Sequence, residues 1–214
     1  MHQPSSSFWN KVAEKYAQQP IADEASYQKK LEITRGYLRP DMDVLEFGCG
    51  TGSTAIVHAP YVKHITAIDF SSKMIEIARA RADAAGVDNV TFKTAAIDDL
   101  DAPGERFDAV LGLSILHLLN DRNTVIAEVH RMLKPGGVFV TSTVCIAEKM
   151  WYMKLVAPVG RLFGAMPLVR VFTIKQLVDS LTAAGFQIDH RWQPPKGVSA
   201  FHACSVFIVA KKAG

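Results

Sequence analysis

The alternation of apolar and polar positions along the chain predicts strands that are separated by helices. Short, mainly apolar runs are predicted as strands at 44–47, 64–69, 90–95, 107–113 and 138–144. The stretches between them carry apolar residues at helical spacing, as at Met74, Ile77 and Ala78. Strands that are apolar on both faces must be covered on both sides. The pattern therefore predicts a parallel sheet between two layers of helices.

Both ends of the chain depart from this alternation of strands and helices. Two helices, at 8–16 and 22–38, are predicted before the first strand. After the fifth strand, Thr173 is expected to begin a helix that Gly185 ends. The final segments, 186–192 and 200–211, are then predicted as consecutive strands that pair antiparallel at the edge of the sheet. With no linker or internal repeat, residues 1–214 are expected to form one domain.

The first strand runs into a glycine-rich turn with the sequence Glu-Phe-Gly-Cys-Gly-Thr-Gly at 46–52, and Asp69 ends the second strand. Such a strand, turn and acid are typical of a nucleoside-binding βαβ unit. A dinucleotide-binding turn would need a glycine at position 53, where the chain has Ser53. Glu46 would also repel a pyrophosphate but favour a cationic ligand. The details therefore disfavour an NAD-dependent oxidoreductase.

The turn resembles motif I of class I S-adenosylmethionine-dependent methyltransferases, whose ligand carries an ammonium and a sulfonium. The resemblance, to the small-molecule branch of that family, covers nearly the whole chain and includes the Pro135-Gly136-Gly137 turn before strand five. It implies a Rossmann-like α/β fold, a three-layer sandwich around a seven-stranded, mostly parallel sheet. In that fold the antiparallel C-terminal strand is inserted between strands five and six.

The same resemblance implies a site for S-adenosyl-L-methionine. The glycines would let the turn pass under the methionine part of the cofactor, with the Gly48 carbonyl receiving its amino group and Glu46 acting through water or by its field. Asp69 would accept both ribose hydroxyls, since one carboxylate offers two acceptor oxygens to a diol. The complete expected set is Tyr16, Glu46, Gly48, Cys49, Gly50, Gly52, Asp69, Phe70, Met74, Ala96, Ile97, Asp98 and Ser114.

Some of these assignments have alternatives. The adenine edge is read either by Ile97 and Asp98, which we favour, or by backbone groups of Ala96 and Ile97 alone. Tyr16 either closes over the methionine carboxylate or simply packs, and the sequence favours neither. Ser114 follows the fourth strand and is expected beside the sulfonium, because ligands bind outside the carboxyl ends of parallel strands.

Methyl transfer from a sulfonium depends on the alignment of nucleophile, methyl carbon and sulfur more than on a strong acid or base. The absence of a catalytic dyad in the sequence therefore does not argue against an enzyme. His117 is a weak candidate for a base facing the acceptor, but a packing or capping histidine is the favoured interpretation.

The composition limits the kinds of partner and site that are expected. The formal net charge of +3 over 214 residues comes without a basic stripe, so no nucleic-acid partner is expected. Cys49, Cys145 and Cys204 are too widely spaced to indicate a disulfide framework or a metal site. With neither a signal peptide nor a membrane-spanning run in evidence, we expect a cytoplasmic protein.

Two segments are expected to cover the site: a helical lid at 1–40 and an insertion at 145–172, rich in Met and aromatic residues with cationic charges, over the acceptor. Contact of the insertion with a membrane surface is a less favoured alternative. The sequence thus predicts methyl transfer to oxygen or nitrogen of a small, partly apolar acceptor, such as an aromatic or quinone-like metabolite or a lipid. The alternative is a non-catalytic S-adenosylmethionine-binding module that acts through a protein partner.

Overall fold

A computed structural model describes residues 6–100, 104–148, 152, 167–195 and 204–214. The helices in these residues are α1 (Ser6–Gln18), α2 (Glu24–Arg35), α3 (Ser53–His58), α4 (Ser72–Ala85), α5 (Arg122–Met132) and α6 (Ile174–Ala183). The strands are β1 (Asp43–Phe47), β2 (His64–Asp69), β3 (Val90–Thr94), β4 (Phe107–Leu113), β5 (Leu133–Val144), β6 (Phe186–Trp192) and β7 (Ser205–Lys212). Within the described residues, no helix has the length and apolar run needed to cross a membrane.

The strands form one seven-stranded sheet in the order β3-β2-β1-β4-β5-β7-β6. Strands β1 to β5 pair in parallel, while β7 pairs antiparallel with both β5 and β6. The predicted fold class and the place of the antiparallel strand between strands five and six are therefore confirmed.

Residues of β1 show why the central strands are mainly apolar. Val44 belongs to a core on one face of the sheet that includes α4 residues such as Ile75. Leu45 and Phe47 belong to the core on the other face, which contains residues of α5 and α6. Because successive side chains point to opposite faces and both faces are covered, the strand has no solvent side.

Strand β5 differs from the prediction at its start. It begins at Leu133, and its pairing with β4 shifts register between Phe107 and Ala109 before the regular ladder resumes at Val138. The Pro135–Gly137 turn lies in this irregularity. A Cβ on Gly137 would lie 2.9 Å from the Lys134 carbonyl oxygen, so the close approach of the backbone requires glycine there.

Most of the predicted insertion, 145–172, lies outside the described residues, as do residues 200–203 of the predicted last strand. The two ends of the insertion are described and lie side by side. The amide of Ala147 donates to the Phe172 carbonyl at 3.2 Å, and the Ile174 amide donates to Glu148 Oε1 at 2.8 Å. The two described ends of the insertion are therefore joined to each other next to the end of β5.

Gly112 of β4 gives a test of the core. A Cβ at this position would lie 2.5 Å from Phe47 Cζ and 3.2 Å from Phe139 Cε2. We expect Gly112→Ala to lower the free energy of unfolding by about 1–3 kcal/mol, since an overfilled core must displace two packed rings. Gly104→Ala is the matched control, because its Cβ would meet nothing closer than 3.6 Å. Urea unfolding that shows equal stabilities for the two variants would contradict this packing.

Candidate functional site

The loops after β1 and β2 meet at the side chain of Asp69. The Gly50 amide donates to Asp69 Oδ2 at 3.0 Å, and the Ser71 amide donates to Oδ1 at 2.8 Å. Asp69 is buried, and burial raises the pKa of its carboxyl while the two amides lower it. One carboxylate thus fixes the glycine-rich turn against the start of α4.

The three glycines of the turn have different surroundings, although all have positive φ. A Cβ on Gly50 would meet no atom within 4 Å, whereas one on Gly48 would lie 2.7 Å from the Ile115 side chain. A Cβ on Gly52 would collide with Phe92 and Ala78 at 2.9 Å. Gly50 therefore opens to a cavity, while Gly52 allows the turn to pack on α4 and β3.

Two neighbouring cavities surround the turn. The larger, of about 640 Å³, is lined by the predicted residues Tyr16, Glu46, Gly48, Cys49, Gly50 and Ser114. The smaller, of about 70 Å³, adds Asp69, Phe70 and Met74. The structure thus brings most of the predicted cofactor residues together at the carboxyl ends of β1, β2 and β4.

Glu46 is a buried acid that faces the larger cavity. Its side chain is 3% exposed, and its Oε2 atom has no hydrogen-bond partner among the described residues. Burial, together with the charge of Asp69, raises the pKa of this carboxyl to about 8. An unpaired buried carboxyl oxygen is costly, so a donor or cation entering the cavity would find an acceptor already in place.

Helix α1 contributes lining residues to both cavities. Tyr16 lines each of them and is 48% exposed. Asn10 Oδ1 accepts from the Ser71 hydroxyl at 2.7 Å, and the Arg81 guanidinium donates to the Ala17 carbonyl at 2.6 Å. These contacts hold α1 against α4, above the loop that carries Asp69.

Ser114 ends β4 in a conformation that is unusual for a residue with a side chain. Its φ is +58°, and its amide donates to the Ser142 carbonyl at 2.7 Å. Both serines line the larger cavity. Left-handed residues other than glycine carry backbone strain and concentrate at functional sites.

The adenine-edge candidates lie apart from these cavities. A short 3-10 turn, Ile97–Asp99, follows β3 and contains Ile97 and Asp98, with Ala96 directly before it. None of these three residues is among the lining residues. Gly52 is likewise absent from both linings. Cofactor contacts by these four residues stay predictions.

His117 also lies outside both linings. Its Nδ1 is 3.1 Å from Thr143 Oγ1, and its carbonyl accepts from the Arg170 amide at 2.7 Å. Burial lowers the pKa of its imidazole to about 4. These contacts give His117 a role in joining β5 to the end of the insertion.

In the described part of the chain, no three His, Cys, Asp or Glu side chains are placed to hold a metal.

Sequence reasoning missed the contribution of α2 to the site. Tyr27, Lys30, Leu31 and Thr34 all line the larger cavity. Their spacing places them on one face of a helix. The sequence did carry a signal for this contribution: polar residues share a helix face with Leu31, which is buried.

Comparison with known proteins finds similarity to methyltransferases over part of the chain. Residues 44–137 match the model of a methyltransferase domain. The chain is 31% identical over 132 residues to the uncharacterized methyltransferase YcgJ of Bacillus subtilis, an alignment covering 62% of this chain and 52% of YcgJ. The crystal structure of YcgJ superposes with a TM-score of 0.71 at 20% identity, over 87% of this chain and 99% of that one.

Two relatives carry names that specify a reaction. The ubiquinone biosynthesis O-methyltransferase of Cereibacter sphaeroides is 30% identical over 53% of this chain and 45% of its own length. The 27-O-demethylrifamycin SV methyltransferase of Amycolatopsis mediterranei is 40% identical over 47% of this chain and 38% of its own. The sequence alignments thus span about half, or less, of these curated relatives.

The raised pKa of Glu46 predicts a pH dependence of stability. Its folded-state pKa of about 8 lies above the ordinary 4.5, so its contribution to stability is fully present below pH 4.5 and is lost as pH rises to about 8. Relative to Glu46→Gln, the wild type should lose up to about 1.4 kcal/mol per pH unit across this window. Urea unfolding of both proteins at several pH values measures the difference. A difference that does not change with pH would show that Glu46 titrates normally.

Proposed function

We propose that the chain, whose residues 44–137 match a methyltransferase domain, is a class I S-adenosylmethionine-dependent methyltransferase that transfers a methyl group from S-adenosylmethionine to an oxygen or nitrogen atom of a small, partly apolar acceptor. The observation that carries this proposal is the unpartnered, buried oxygen of Glu46 facing the cavity of the glycine turn. A cationic ligand would ionise and satisfy that carboxyl, whereas a pyrophosphate would be repelled.

The residues present fit such a cofactor. Gly50 leaves open space where any side chain would intrude. Each oxygen of Asp69 accepts one amide bond and keeps acceptor capacity for a ribose hydroxyl. Phe70 and Met74 line the smaller cavity beside Asp69 and would provide an apolar wall for adenine. When bound, S-adenosylmethionine supplies a methyl carbon that the sulfonium makes electrophilic.

The protein's own contribution is then alignment and exclusion of water. Tyr16 on α1 covers the cleft from above, and Ser114 and Ser142 form its edge at the ends of β4 and β5. Holding two reactants in line supplies much of the rate enhancement for a transfer of this kind. A base is needed only where the acceptor must first lose a proton.

The lining of the larger cavity supports an acceptor that is small and partly apolar. Pro20, Ile21, Leu31 and Leu113 contribute apolar surface, while Thr34, Ser114 and Ser142 contribute hydroxyl groups. The names of the two relatives, which refer to ubiquinone biosynthesis and to a rifamycin, are in keeping with such acceptors. We also propose that two segments cover the site, a helical lid at 1–40 and the insertion at 145–172.

Ligand binding and turnover test the function. In isothermal titration, we expect the protein to bind S-adenosylmethionine and S-adenosylhomocysteine, but not NAD. Binding of NAD and neither sulfur compound would contradict the proposal. A methylation assay across phenols, amines and lipids then separates an enzyme from a non-catalytic binding module. Tight cofactor binding without turnover on any acceptor would favour the module.

Asp69 is tested by Asp69→Asn, with Asp83→Asn on the exposed side of α4 as a control. We expect the Asp69 variant to bind S-adenosylhomocysteine about tenfold or more weakly, since it loses a charged acceptor worth about 1.5–3 kcal/mol. The Asp83 variant should bind like the wild type. Thermal melts verify that both variants fold. Unchanged affinity in a folded Asp69→Asn protein would remove the ribose assignment.

A further inference from the structure

Two of the cysteines lie opposite each other where β5 ends and β7 begins. Val144, the last residue of β5, pairs with Ser205, the first residue of β7. Cys145 and Cys204 occupy the next position along this antiparallel ladder, and the Cys145 amide donates to the Cys204 carbonyl at 2.8 Å. The two cysteines therefore form a hydrogen-bonded cross-strand pair.

The register places both cysteines on the same face of the sheet. Directly opposite residues of an antiparallel pair share a face, and every second residue of a strand returns to it. Cys145 belongs to the core that contains residues of α5 and α6, as do Val206 and Ile208 of β7. Cys204 is two residues before Val206, and both cysteines are buried. The pair is thus directed into one core.

The spacing of such a pair suits a disulfide, with some strain. The Cα atoms of a hydrogen-bonded antiparallel pair are about 5.5 Å apart, within the roughly 4.4–6.8 Å that disulfides span. The Cβ atoms of opposite residues are about 4.5–5.5 Å apart, at or beyond the roughly 4.5 Å upper limit for a relaxed disulfide. A bond at this position would draw the two strands together, and strain of that kind makes a disulfide easier to reduce.

The third cysteine, Cys49, is too distant to compete for this bond. It follows β1, and β4 separates β1 from β5 in the sheet. Because neighbouring strands are about 4.8 Å apart, β1 and β5 are separated by roughly 10 Å. Cysteines with Cα atoms more than about 7 Å apart cannot be joined unless the backbone moves. Cys49 is therefore the matched control for the pair.

We propose that Cys145 and Cys204 form a reversible disulfide when the protein meets a disulfide oxidant such as glutathione disulfide. One cysteine sulfur attacks the oxidant and releases a glutathione thiolate, and the other cysteine then displaces the second one. One S–S bond forms and one breaks, the oxidant gains the two electrons that the cysteines lose, and their two protons pass to the glutathione thiolates. The new bond ties the start of the insertion to the start of β7.

The surroundings of Cys145 set the conditions of the experiment. Burial raises the pKa of its thiol to about 12, and Glu148 adds to the rise while Arg122 and Arg191 oppose it. The thiolate is the form that attacks a disulfide. The exchange is therefore slow at neutral pH, and the protein has to be incubated until its redox state no longer changes.

The test compares wild type, Cys145→Ala, Cys204→Ala and the control Cys49→Ala. The reduced proteins are incubated in glutathione buffers that range from oxidising to reducing. Remaining thiols are then alkylated under denaturing conditions, and the peptides are mapped by mass spectrometry. We expect a Cys145–Cys204 disulfide in oxidised wild type and oxidised Cys49→Ala, and its loss from both in excess reduced glutathione. Neither of the other two variants should form an intramolecular disulfide.

The covalent state of the protein decides the outcome, whatever reaction the protein catalyses. Wild type and Cys49→Ala suffice for the decision if a variant of the buried pair fails to fold. Absence of the Cys145–Cys204 bond after prolonged incubation in glutathione disulfide overturns the proposal, and so does a bond that involves Cys49. A bond that persists in excess reduced glutathione would show that the cross-link is permanent and not a reversible one.

Discussion

The carboxylate of Asp69 joins two loops that would otherwise be independent. Its oxygens take the amides of Gly50 and Ser71, which fixes the distance between the end of β1 and the start of α4. The rest of the site is positioned from that bridge. Ser71 passes the constraint on to α1 through Asn10, and the open face of Gly50 defines the floor of the cavity. A single buried acid thus orders both the turn and the helix that covers it.

The sequence predicted the central strands well because they are mainly apolar and are buried on both faces. Runs 64–69 and 107–113 are of this kind, and the structure places β2 and β4 at those bounds. The start of β5 could not be predicted in the same way. Proline and two glycines suggest a turn before the strand, whereas β5 already begins at Leu133, which pairs with Phe107 before the turn interrupts the ladder up to Val138.

The site was predictable where its functional residues belong to one continuous sequence motif. Glu46, Gly50 and Asp69 belong to one βαβ unit, so their spacing alone indicates their proximity. The contribution of α2 was predicted only as part of a helical lid at 1–40, because a helical pattern does not show which residues of α2 pack over the turn. The structure places Lys30 in the cavity lining. His117 was favoured as a packing residue over a base. In the structure its ring contacts Thr143, outside both cavity linings, and burial lowers the pKa of its imidazole to about 4.

The paired ends of the segment between Glu148 and Thr173 have a consequence for how such a protein can change. Both ends are tied to each other by Ala147, Phe172 and the Glu148–Ile174 contact. The cost of closing a loop grows slowly with its length, so the span between fixed ends can be lengthened, shortened or exchanged with little effect on the sheet. The framework is therefore modular at this point. Divergence of the segment would leave the glycine turn and its contacts with Asp69 unchanged.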